Sequence, residues 1–126
     1  MRIGIDIRPL IFTRAGIHTY VFQLVRHLAQ SPENRLFLFT CASSGIQWEA
    51  GIEEVLLRLP QWNRGMEHLW QGLLLPRAAA ARNLDVFHGT RFWVPRYAGC
   101  ARVVTVHDVA FRLIPGMVQA KTAAFF

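Results

Sequence analysis

The chain has 126 residues, 52% apolar and 17% charged, which suits one packed domain and excludes a disordered tail. Arg and Pro break every apolar stretch, including 73–81, so none reaches the roughly 20 uninterrupted apolar residues of a membrane-spanning helix. Fourteen cations against eight acids leave +6, with Lys121 alone not Arg; this suits phosphate oxygens, although a coding bias toward Arg gives the same count.

Residues 2–7, Arg-Ile-Gly-Ile-Asp-Ile, are rich in β-branched side chains and stop before Pro9, which predicts a first strand. Asp6 and Arg8 also cut into what would have to be the apolar region of a secretory signal. A loop holding Thr13, Arg14, Ala15 and Gly16 leads to a helix, because Ile17, Tyr20, Val21, Leu24, Val25 and Leu28 recur at helical spacing. After the turn at Ser31-Pro32-Glu33-Asn34, the run Arg35 to Cys41 reads as a second strand. A third is expected at Val55 to Leu59, stopped by Pro60. Residues 66–82 predict a helix with Met66, Leu69, Trp70, Leu73 and Leu74 on one side and a kink at Pro76. Asp85 to His88 reads as a brief strand, and Arg102 to Asp108 as the clearest buried one. Met117 to Phe126 begins a further helical pattern with no terminating cap, and reads as a sequence cut short. Apolar strands separated by helices imply an α/β fold, a Rossmann-like parallel sheet with helices on both faces.

In such a sheet, ligands bind beyond the carboxyl ends of the strands. Gly16 before a helix lets backbone N–H groups approach an anion, or simply forms a turn; GxGxxG is absent, which argues against NAD. His107 and Asp108 follow a strand, where an imidazole can meet a hydroxyl or phosphate oxygen, or where Asp108 merely caps a turn. His88 has the same address; a metal held by His88, His107 and Asp108 lacks ligand spacing. Arg91, Phe92, Trp93, Arg96 and Tyr97 interleave cations with rings that either stack on a sugar or base, or pack beneath the loop. Trp70, Leu73 to Leu75 and Arg77 fit an interfacial membrane helix as well as a core-facing one. Cys41 and Cys100 are isolated, with no zinc or disulfide pattern, and suit a reducing cytoplasm.

Several of these pieces fall in a familiar order: Met1 to Pro9, Gly16-Ile17 before a Tyr20 helix, Leu69-Trp70 with Leu75-Pro76, Asp85 to Gly89, Val94-Pro95, and Val103 to Asp108 with Phe111 and Pro115. In this order and approximate spacing the chain resembles the start of glycosyltransferase family 4 enzymes. The resemblance implies the N-terminal, acceptor-side half of a GT-B fold, residues 1–126, incomplete and without the donor-binding C-terminal domain. It implies transfer of a sugar, with retention, from a nucleotide-diphosphate sugar to a sugar or lipid-linked acceptor, with no cofactor or metal. Gly16 would then near the donor diphosphate, His107 would stand at the transferring sugar as the catalytic candidate, and Asp108, His88 and Arg91 would be substrate-binding candidates. The expected location is cytoplasmic, with peripheral contact at the inner membrane face, and no nucleic-acid partner is implied.

Two departures stand out. Arg14 and Ala15 precede Gly16 where many relatives carry another glycine, and no two glutamates are separated by seven residues, as in the donor domain of the family. The chain alone is therefore expected to be inactive until a donor domain joins it in cis or in trans. A different class remains open, a non-catalytic module that pairs with a separate donor-binding half; a basic phospholipid- or nucleic-acid-surface binder is a third.

Overall fold

The structure is a computed structural model that describes residues 1–12, 15–61, 63–96 and 99–109. The pattern from Met117 to Phe126, together with Arg14, Tyr97, Phe111 and Pro115, lies outside these residues. Strand β1 (Arg2–Asp6) is followed by a single helical turn, α1 (Pro9–Phe12), and by α2 (Gly16–Ala29). Then come β2 (Arg35–Thr40), β3 (Ile52–Leu56), a helical stretch made of α3 (Arg64–Leu69), a π-helical turn (Trp70–Leu74) and α4 (Leu75–Ala80), and finally β4 (Val86–Gly89) and β5 (Ala101–Val104). The five strands form one sheet in the order β3-β2-β1-β4-β5, with every pair parallel. The fold is the expected α/β, Rossmann-like class, with helices on both faces.

Alternation along β1 sorts its side chains by face. Ile3, Ile5 and Ile7 join Leu36 and Leu38 of β2 under Val21 and Val25 of α2, and Ile17, Tyr20, Leu24 and Leu28 complete that contact, as the helical spacing predicts. On the opposite face, Phe37, Phe39 and Phe87 pack with Trp70, Leu75 and Ala79. Gly4 belongs to that second face, and an added Cβ would stand 2.5 Å from Leu84 and 2.9 Å from Phe87, so β1 is bare there to admit its neighbours. The rings of Phe39 and Phe87 pack at 5.6 Å between centroids. Each such fully buried ring contributes about 2–3 kcal/mol through removal from water.

Four expectations need correction. First, the segment after β1 is not all loop: Pro9, beyond the strand as expected, also begins a helical turn, because its missing N–H costs nothing at a first helical position. Second, β3 occupies 52–56, upstream of the expected 55–59, since pairing with Leu36–Thr40 sets its register. Its acids are satisfied by partners rather than by water alone: Glu53 accepts from Arg82 at 2.9 Å, and Glu54 from the hydroxyl of Ser44 at 2.6 Å and the indole of Trp48 at 3.0 Å. Third, the buried face of the long helix is Trp70, Leu75 and Ala79, while Leu69 and Leu73 are 38% exposed. Pro76 cannot donate to the preceding turn, and the π-helical segment absorbs that loss, with Leu75 N–H donating to Trp70 O. The extra residue per turn rotates the apolar stripe, so that Trp70, Leu75 and Ala79 face the core. Fourth, the run expected as the best-buried strand ends at Val104 and, among the described residues, lies at the end of the strand order; Val103 and Val104 are 47% and 43% exposed. β4 is its one sheet neighbour among the described residues. Among the described residues, no helix is long and apolar enough to cross a membrane.

Candidate functional site at the carboxyl edge of the sheet

Strand order reverses between β1 and β4, and the crevice beyond their carboxyl ends is where open α/β sheets take ligands. Thr90, fully buried just past β4, closes this point: its hydroxyl donates to Asp6 O at 2.6 Å, tying the end of β4 to the end of β1. Gly89 is required beside it, because an added Cβ would lie 1.8 Å from Trp93 O and 2.7 Å from Val94. The loop therefore folds back directly over the end of the strand.

His107 stands above this junction. Its Nε2 is 2.7 Å from Thr90 O, and a carbonyl only accepts, so Nε2 carries the proton and Nδ1 of the neutral ring is an acceptor. Nδ1 has no hydrogen-bond partner among the described residues. The ring is flanked edge-on by Tyr20, at 5.2 Å and 83°, and by Phe92, at 6.0 Å and 75°. Phe92 has φ 53°, a left-handed conformation unusual for a bulky residue, and its N–H donates to Thr105 O at 3.0 Å. That strained turn carries its ring to His107.

Gly16 opens α2 one turn before Tyr20, so the first turn of this helix and His107 meet at one edge of the sheet. The helix start has no side-chain cap and no acid in its first turn, and the N–H groups of Gly16 and Ile17 have no acceptor among the described residues. A Cβ at Gly16 would meet nothing within 4 Å. Open backbone donors and the positive end of the helix dipole suit an anion there.

His88 lies half-buried on the α2 face of β4, with Nε2 2.7 Å from Thr105 Oγ1; burial pushes its pKa below the ordinary value. Asp108 and Arg91 are exposed on the same edge. Trp93 and Val94 pack against the core, which settles the loop aromatics as packing for Trp93, while Phe92 turns to His107. His18 is half-buried, and His27 and His68 are exposed. Among the described residues no three His, Cys, Asp or Glu side chains gather as a metal site, and Nε2 of His88 and of His107 already face Thr105 and Thr90.

Several contributors were not singled out as site residues from sequence. Tyr20 counted only as part of a helix face, and Thr90 and Thr105 carried no signal of their own. Asp6 and Arg8 did carry one. Two charges two positions apart in an apolar strand share a face. In the structure they are 2% and 8% exposed; Arg8 Nε reaches both carboxylate oxygens at 3.0 and 3.1 Å, and Nη2 reaches one at 2.6 Å. Arg8 also lies 4.3 Å above the Trp70 ring and 3.4 Å from Glu67. Burial alone would lower its pKa, but Asp6, helped by Glu67, outweighs burial and holds it above the ordinary value. This pair fastens the helical layer to the carboxyl end of β1. The thiol of Cys41, also buried on this face, is raised by burial against the opposing pull of Arg8.

No family model, curated protein or solved structure matches this chain.

Proposed function

We propose that these residues form the acceptor-side, Rossmann-like half of a retaining glycosyltransferase of the family 4, GT-B type, which takes its sugar from a nucleotide-diphosphate donor. The observation that carries the reading is the meeting of His107 with the open start of α2 at the point where strand order reverses. The two halves of that rim differ in chemistry. The helix start offers N–H donors and positive potential to a diphosphate, and His107 offers an acceptor nitrogen to a hydroxyl. A sugar diphosphate presents both groups side by side.

Sugar transfer leaves negative charge on the departing diphosphate and positive, oxocarbenium-like charge on the ring, so both must be met in a closed site. Gly16 and Ile17 would meet the first. The acidic pair of the donor side does not occur in these 126 residues, so a donor-binding domain, in the same chain or another, completes the cleft. His107, Gly16, Asp108 and Arg91 keep their proposed roles toward donor sugar, diphosphate and acceptor, whereas His88, expected beside them, has its Nε2 engaged by Thr105.

The test is a titration followed by amide NMR. UDP-glucose, GDP-mannose and inorganic diphosphate are each added to the 126-residue chain. At least one sugar nucleotide should shift Gly16, Ile17 and Thr105 to Asp108, and the chain by itself should give no transfer of labelled sugar. Shifts confined to the amino ends of the strands, or none with any probe, would overturn the reading.

A further inference from the structure

Between α2 and the β4–β5 edge lies a chain of three polar side chains. Thr105 Oγ1 is 2.8 Å from Tyr20 Oη and 2.7 Å from His88 Nε2. Three separate elements are joined by it: Tyr20 comes from α2, His88 from β4, and Thr105 directly follows β5. Register explains the meeting. Val103 pairs with His88, so two residues further on Thr105 returns to the same face of the sheet, the face that α2 covers.

A hydroxyl has one proton, so this chain has a direction. Tyr20 Oη has no hydrogen-bond partner other than Thr105 among the described residues. If Thr105 donated to Tyr20, the phenol proton would be left without an acceptor in a half-buried site, which is costly. The favourable sense is Tyr20 donating to Thr105 and Thr105 donating to His88 Nε2, which puts the proton of a neutral His88 on Nδ1. Burial of His88 favours that neutral form.

We infer that His88 is a positioning residue: through Thr105 it holds the Tyr20 ring edge-on against His107, so that His107 keeps its acceptor nitrogen aimed into the crevice. The ring contact at 5.2 Å is the output of the chain. His107 is thereby held by Thr90 at Nε2 and by the Tyr20 ring, with the Phe92 ring as a further edge-on contact. His88 reaches its effect without touching the ligand. The importance of this aim to sugar transfer rests on the function proposed above, whereas the relay itself is a property of the ligand-free chain.

Long-range 1H–15N spectra of the unliganded 126-residue chain test it without any substitution. His88 should be protonated on Nδ1 and His107 on Nε2; a proton on Nε2 of neutral His88 reverses the chain and overturns the inference. Variants supply the second arm, read as the nuclear Overhauser contact between the Tyr20 and His107 rings, with circular dichroism confirming the fold. Thr105→Val and His88→Leu should abolish that contact, while Thr105→Ser and His88→Gln, which restore a hydroxyl and an acceptor, should retain it. Tyr20→Phe keeps the ring and is the mildest variant; its ring contact with His107 should also weaken. Retention of the contact in Thr105→Val, His88→Leu and Tyr20→Phe would refute the relay. A wild-type chain that ignores UDP-glucose and GDP-mannose but shows the expected tautomers and contacts would refute the sugar reading alone.

Discussion

Replacing Arg8 by methionine separates the charge of the buried pair from its packing, because the new side chain can still lie along Trp70. The Asp6 carboxylate, 2% exposed, would keep only the backbone N–H of residue 8, at 3.1 Å, and lose three contacts of 2.6 to 3.1 Å to the guanidinium. Breaking a buried pair from one side costs about 3–5 kcal/mol, since the remaining charge is stranded in a poor solvent. Against a total stability of about 5–15 kcal/mol, that is a large fraction. With a urea dependence of about 1.5 kcal/mol per molar, the unfolding midpoint should fall by about 2–3 M. The double variant Asp6→Asn with Arg8→Met leaves no charge behind and should recover to within about 1–2 kcal/mol of the parent. Urea melts followed by circular dichroism measure all three. A single variant within about 1 kcal/mol of the parent, or a double variant no more stable than the single, would refute the claim that this pair fastens the helical layer to the sheet.

The two site glycines should respond oppositely to alanine. Gly89→Ala cannot place a Cβ 1.8 Å from Trp93 O and should lose about 3 kcal/mol or more in the same melts. Gly16→Ala has open space and should leave stability within about 1 kcal/mol, yet weaken any nucleotide-diphosphate response seen by NMR; an unchanged response would separate this glycine from the anion site. For His88, burial lowers the folded pKa below the ordinary 6.5, so the unfolded chain binds more protons in the interval between them. Its contribution is therefore present above about pH 6.5 and declines as pH falls toward the folded value. Melts over this range should show that loss, and His88→Gln should flatten it; a slope that survives the substitution belongs to other groups.

The 2–7 strand, the helix whose face runs from Ile17 to Leu28, and the parallel class were legible because each rests on local periodicity and turn chemistry. The α2 face packs through the very residues that its spacing picks out. His107 and Gly16 were legible as site candidates because a strand's carboxyl end is a position readable along the chain. Beyond that, local pattern misled. Arg102 to Asp108 carries the composition of a central strand, but its strand stops at Val104 and, among the described residues, pairs with β4 alone, and order is a property of the whole sheet. The apolar stripe of the long helix was read at 3.6 residues per turn, and a π-helical turn beside Pro76 rotated it onto Leu75 and Ala79.

Neighbours along the chain suffice to mark the five strand segments and the main helices between them, with bounds that pairing then shifts, and to pick out the apolar face of α2. The folded sheet was needed to set Arg8 against Asp6 over Trp70, to bring Thr90 O to His107, and to join Tyr20, Thr105 and His88 in one chain. Tyr20 and Thr105 are 85 residues apart in sequence, and hydrogen bonds and ion pairs act over about 3 Å. No pattern along a chain encodes such a distance until the sheet has set its order and register.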